Sequence, residues 1–262
     1  MSILNALAAN PRLVLQHRNI FLLSHMRANT SLFGHLVGSH PLVEGYYEMH
    51  IGYFGWKSLW RQKLLHFAGH AAKPQARYMF DKVLHDGHQV ALPVLHRPHS
   101  HTIMMLRTPA QSIKSLVVLY QGSQPQAPEA QPDGAARYYI DRLHTLASLA
   151  TALKGRYFYL DAECLISSTG PTLQALGDWL HLPSPIPTEY KTFSNTGRGN
   201  AGDTSSRLKS GTVNHSQSDY AGIAVPGPLM AEAVQAYALH RATLLAHCDR
   251  SAAIPAATQD IA

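Results

Sequence analysis

A single three-layer α/β domain, with a central parallel sheet flanked by helices, is the fold class this chain of 262 residues predicts. Two observations carry it. Short apolar runs alternate with polar turns and helix-period stretches, the order that a parallel sheet with crossover helices requires. Hydrophobic residues make up 45% of the chain and charged residues 15%, enough apolar mass for one core and too much for a disordered chain.

In order, residues 2–16 read as a short helix with Leu4, Leu7 and Ala8 on one face, and 19–24 as a buried strand. A small polar segment, 25–31, leads into a helix over 30–37 that stops near Gly38, ahead of Pro41. A helix over 59–67 and a strand over 77–83 follow, then the strand 102–106 and the helix 110–120. Residues 122–133 are rich in Pro, Gln and Ala and predict an exposed loop. Beyond it come a helix over 135–153, a strand at 157–160 and a helix over 172–180. Residues 190–216 are rich in Gly, Ser, Thr and Asn and read as a long loop; 229–247 is a last helix, and the tail after Ser251 reads as loose. No internal repeat is present, so 1–262 is one domain with its core over about 18–215.

The formal charge is +6, which suits an anionic ligand such as a nucleotide. The basic residues are scattered rather than clustered, so nucleic acid is not the expected partner. Cys164 and Cys248 form neither a disulfide framework nor a zinc pattern. The apolar run at 20–23 is too short and too late for a signal peptide, and no stretch approaches the roughly 18–20 apolar residues that span a bilayer. The expectation is a soluble, cytoplasmic protein.

Two strand-to-helix junctions carry chemistry. The first is His25-Met26-Arg27-Ala28-Asn29-Thr30-Ser31. A loop here aims backbone N–H groups and a helix N-terminus at one point, the geometry that binds phosphate or sulfate oxygens. Arg27 adds a permanent charge, Thr30 and Ser31 add hydroxyl donors, and the helix dipole acts in the same sense. Asn29 is the residue type other than Gly that best tolerates positive φ. An ordinary helix N-terminus capped by Asn29 or Thr30 would account for the same residues. The second junction is Leu106-Arg107-Thr108-Pro109, followed on its helix by Ser112, Lys114 and Ser115. An Arg at the C-terminal end of a strand points into the crevice where open α/β sheets bind ligands, and its planar fork matches phosphate.

Together these segments resemble the sulfotransferases that use 3′-phosphoadenosine 5′-phosphosulfate (PAPS), a family with a P-loop NTPase-like fold. Arg27-Ala28-Asn29-Thr30-Ser31 is similar to the family's 5′-phosphosulfate loop, with Asn29 where Gly is usual. Arg107-x-Pro109 with Ser115 eight residues on resembles its 3′-phosphate site. Gly202 to Gly211 is similar to the late loop that closes over the nucleotide, carried here by Arg207, Lys209 and Gly211. Leu36-Val37-Gly38-Ser39-His40-Pro41 and Glu48 resemble the end of the family's first helix and the acidic residue after it, and Tyr159-Leu160-Asp161 with Asp178-Trp179-Leu180-His181-Leu182 fits the same pattern as scaffold.

The resemblance implies in-line sulfuryl transfer from PAPS to a hydroxyl or amine of a small-molecule or short-glycan acceptor, with no metal. It implies that Arg27 stabilises charge on the bridging oxygen and that Lys82 contacts the leaving side. For the base it offers His85, which follows Lys82 at a spacing one residue longer than the family's, or Glu48. Imidazole needs little tuning to act near neutrality, which favours His85. The aromatic group Tyr46, Tyr47, Tyr53, Phe54, Trp56 and Trp60 could line an acceptor pocket or pack in the core. The chain holds 17 histidines, and His85 with His88, or His96, His99 and His101, could be ligands, but no acidic or Cys ligand stands beside them at metal spacing in sequence, and the resemblance implies no metal. Two other readings compete: a phosphotransferase, which lacks a Walker lysine here, and a nucleotide-binding protein without catalysis.

Overall fold

The computed structural model describes residues 14–197, 206–215 and 220–255. Its centre is a six-stranded sheet in which every pairing is parallel, with strand order β2-β3-β1-β4-β5-β6. The strands are β1 (Arg18–Ser24), β2 (Val43–Glu44), β3 (Tyr78–Val83), β4 (Ser100–Leu106), β5 (Tyr157–Asp161) and β6 (Arg250–Ala252). The helices are α1 (Thr30–Ser39), α2 (Trp56–Gly69), α3 (Leu92–Leu95), α4 (Pro109–Ser123), α5 (Pro132–Ala152), α6 (Cys164–Ser167), α7 (Thr169–Trp179) and α8 (Gly227–His247).

The inner strands are buried on both faces, so their side chains divide by alternation between two cores. Phe21 and Leu23 of β1, Met104 and Leu106 of β4, and Tyr157 and Tyr159 of β5 face α4, α5 and α8. Ile20 and Leu22, Ile103 and Met105, and Phe158 and Leu160 face α1 and α7. This is the predicted sandwich. α1 approaches the sheet edge so closely that a Cβ on Gly34 would lie 2.2 Å from the Tyr46 carbonyl oxygen.

The element boundaries shift modestly from the sequence reading. α2 begins at Trp56, three residues before Leu59, and α5 begins at Pro132 on a proline-started first turn. The helix expected over 2–16 lies almost wholly outside the described residues. One expectation is corrected. As far as residue 255, the last described, the tail after Ser251 is not loose, because Arg250–Ala252 pairs with β5 as the sixth strand. A clasp holds it there. Arg241 on α8 donates through Nε (3.0 Å) and Nη2 (2.6 Å) to the two carboxylate oxygens of buried Asp161. The Ile254 N–H donates to Asp161 Oδ2 at 2.8 Å, and Arg241 Nη2 donates to the Ile254 carbonyl at 2.7 Å. Among the described residues, no helix is long and apolar enough to cross a membrane.

Candidate active site

All six strands run the same way, so the segments after β1, β3, β4 and β5 emerge on one side of the sheet. The chain steps from β1 outward to β2 and β3, then crosses back to β4 on β1's other flank. That reversal opens a crevice beyond the carboxyl ends of β1 and β4, where open α/β sheets place ligands. Both predicted motifs lie there.

The loop after β1 is built to turn sharply. Arg27 (φ 65°) and Asn29 (φ 57°) both take left-handed backbone, with Ala28 fully buried between them. Alternation with left-handed residues aims successive N–H groups at one point, an anion-binding concavity. Asn29 takes the left-handed conformation its residue type allows, and Arg27 does so as well. Asn29 is also the N-cap of α1, yet no side chain caps that helix. The Asn29 amide reaches instead toward the Ala162 carbonyl at 3.4 Å. The capped-helix explanation of this loop therefore fails.

The two motifs meet. Arg27 Nε donates to Ser115 Oγ at 2.8 Å, and Arg107 Nη1 donates to the Arg27 carbonyl at 3.0 Å. Tyr220 Oη also donates to Ser115 Oγ at 2.9 Å, a partner the sequence did not single out. Burial lowers the Arg107 guanidinium from its usual pKa, and among the described residues it forms no ion pair. Two cationic side chains thus share one recess.

Buried residues lock this corner. His25 is fully buried, and burial pushes its pKa down to about 3, so the ring is neutral. Its Nε2 accepts the Arg107 N–H at 3.0 Å, which leaves the proton on Nδ1 to donate to the Met26 carbonyl at 2.9 Å. The α5 helix supplies the remaining ties. Tyr139 Oη donates to the Arg107 carbonyl (2.7 Å), and Tyr138 Oη accepts the Met26 N–H (2.8 Å) and donates to the Leu84 carbonyl (2.6 Å). Arg142 donates to the Ser24 (2.9 Å) and Val83 (2.8 Å) carbonyls and pairs with Asp86. One helix thereby fastens the ends of β1, β3 and β4.

On the β3 side, buried Lys82 donates from Nζ to Ser31 Oγ at 3.2 Å. His85 Nε2 lies 3.4 Å from Glu48 Oε1, so the two candidate bases are neighbours. Burial acts to raise the Glu48 carboxyl, but His85, Lys82 and His50 outweigh it and hold it below its usual value. Asp81 sets this segment. Its Oδ1 accepts the Met49 (3.0 Å) and Lys82 (2.8 Å) N–H groups, and its Oδ2 accepts the Tyr53 hydroxyl. Complete burial, with Glu48 nearby, pushes Asp81 up to about 7.

The late-loop residues stand apart. Arg207 and Lys209 are exposed on a 3-10 turn, Ser206–Ser210, anchored by buried Leu208 and by Tyr190, which donates to the Arg207 and Thr212 carbonyls. Gly211 takes φ 74° and accepts the Tyr190 N–H through its carbonyl. Residues 202–205 lie outside the described residues. The aromatic group divides: Tyr46 and Tyr53 are core, whereas Phe54 and Trp56 are 69% and 61% exposed.

A scan against protein-family models and a search of curated proteins both find no match. Solved structures do match. The sulfotransferase domain from the curacin biosynthetic pathway is similar over 86% of this chain and 97% of its own, at TM-score 0.59 and 17% identity. The sulfotransferase domain from the Synechococcus PCC 7002 olefin synthase is similar over 86% of this chain and 95% of its own, at TM-score 0.55 and 14% identity. This chain therefore has the fold of sulfotransferase domains.

Proposed function

We propose that the protein is a PAPS-dependent sulfotransferase. One observation supports this above the rest: Arg27, in the loop ahead of a helix N-terminus that no side chain caps, is hydrogen-bonded to Ser115, and Arg107 is bonded to the Arg27 backbone. In this reading the loop Arg27 to Ser31 takes the 5′ end of the donor and Arg107 with Ser115 takes the 3′-phosphate. Lys82, seated on Ser31, adds charge beneath the leaving side. Arg207, Lys209 and Gly211 belong to the late loop that would close over the nucleotide.

The acceptor side is the His85–Glu48 pair. His85 is partly exposed and Glu48 is buried behind it, so His85 takes the proton of the attacking hydroxyl and ionised Glu48 stabilises the resulting imidazolium. The sequence left these residues as alternatives, and their adjacency favours a joint role. Exposed Phe54 and Trp56 follow in the chain and offer apolar faces to a small-molecule or short-glycan acceptor.

Calorimetry with adenosine 3′,5′-bisphosphate against ADP and ATP tests the donor site. The bisphosphate should bind selectively, and Arg107→Ala should weaken it by about 2–4 kcal/mol, roughly 30-fold to 1000-fold. Equal binding of ATP would sink the reading.

A further inference from the structure

We propose that His50, His85 and His88, with Glu48, form a binding site for one zinc-class divalent ion. Each histidine offers a ring nitrogen, and the three nitrogens lie within 4.8 Å of one another. Glu48 is about nine-tenths buried, and its Oε1 has no hydrogen-bond partner. That oxygen lies 3.4 Å from His85 Nε2 and 3.7 Å from His50 Nδ1. Ligands about 2.1 Å from a tetrahedral centre sit about 3.4 Å apart, so two of these separations are near what the ion requires. His88, beside both rings at centroid distances of 5.0 and 5.8 Å, completes the set by a small side-chain movement.

Two backbone features fit the same purpose. His50 holds left-handed backbone at φ 53°, a cost that a non-glycine residue bears only where its surroundings enforce it. Gly87 lets the chain pass close to His85, since a Cβ there would lie 3.2 Å from His85 Nδ1. The loop thereby backs the Nδ1 edge of the ring and leaves Nε2 toward Glu48. Three imidazoles and one carboxylate select Zn²⁺, Co²⁺ or Cu²⁺ over Mg²⁺ and Ca²⁺, which prefer all-oxygen shells. The sequence expectation of no metal rested on linear spacing and on the resemblance to a family that needs none. His50 and His85 are far apart in the chain, and only the fold makes them neighbours.

A consequence rests on the sulfuryl-transfer reading: an ion here holds the lone pairs of His85 and Glu48 and so suppresses transfer. The site itself is tested without donor or acceptor. Protein purified without a polyhistidine tag and stripped by chelator is titrated with Zn²⁺ and with Mg²⁺ by calorimetry. Wild type should take up about one Zn²⁺ and no Mg²⁺. His50→Ala and His88→Ala should each weaken Zn²⁺ by about tenfold or more, and Co²⁺ should give a tetrahedral visible spectrum in wild type alone. Absence of Zn²⁺ uptake, or uptake unchanged in both variants, overturns the proposal. Zn²⁺ uptake in a chain that transfers no sulfuryl group leaves the metal site standing and removes only the consequence.

Discussion

The two sides of the crevice are built differently. At the ends of β1 and β4, His25, Tyr138, Tyr139 and Arg142 lie in a closed network whose partners are mostly main-chain groups. Beyond the end of β3, ring nitrogens of His50, His85 and His88 lie within 4.8 Å of one another on loops, and the Glu48 carboxylate lies 3.4 Å from His85 and 3.7 Å from His50. The first side is preorganised: its geometry is fixed before any ligand arrives, as recognition of a constant group demands. Under the proposed function and the proposed metal site, the second exchanges protons or ligands.

Substitutions can break that contrast. The largest effect should come from His85→Ala, which under the proposed function lowers turnover by about 10²- to 10⁴-fold while leaving bisphosphate affinity unchanged. A matching loss of affinity would mean that the two sides are not separable. Next, Arg142→Ala removes the ties to the Ser24 and Val83 carbonyls and to Asp86, and should cost about 3 kcal/mol of unfolding free energy in urea. A cost below about 1 kcal/mol would show that the network does not hold the corner.

The smallest expected effect concerns pH. Asp81 holds its proton in the folded state up to about 7, whereas the unfolded group loses it near 3.8. The folded state binds the extra proton across that window, so this group's contribution to stability falls as pH rises through it and stays lost above. Asp81→Asn cannot ionise, and Asn can keep an acceptor for the Met49 and Lys82 N–H groups. Relative to wild type, the variant should gain up to about 1.4 kcal/mol per pH unit between roughly pH 4 and 7. Urea unfolding of both proteins across that range measures it, and a constant difference would contradict an elevated Asp81.

The two sides also differed in how far the sequence disclosed them. The corner at β1 and β4 was legible because an apolar run stops abruptly at small polar residues and a helix begins, twice, with an Arg at each junction. What locks it was not. Tyr138, Tyr139 and Arg142 occupy positions on α5 that any helix could use for packing, and only the folded chain shows their tips reaching the strand ends. Asp81 escaped notice because a charged residue within a buried strand has no periodic signature. β2 and β6 are two and three residues long, too short for alternation to register. On the histidine side, His85 and Glu48 were found through the resemblance, but nothing in the sequence brought the segment holding Glu48 and His50 against His85 and His88.

The clasp at Asp161 has a bearing on biosynthesis. A ribosome releases this chain from its N-terminus, so β5 and Asp161 emerge well before Arg241 and Ile254. In that interval the outer ladder of β5 is open to any extended peptide nearby, and Asp161 has neither its cation nor the Ile254 amide. β6, made later, closes that flank, so the nascent chain is exposed to mispairing until about residue 254 has left the exit tunnel.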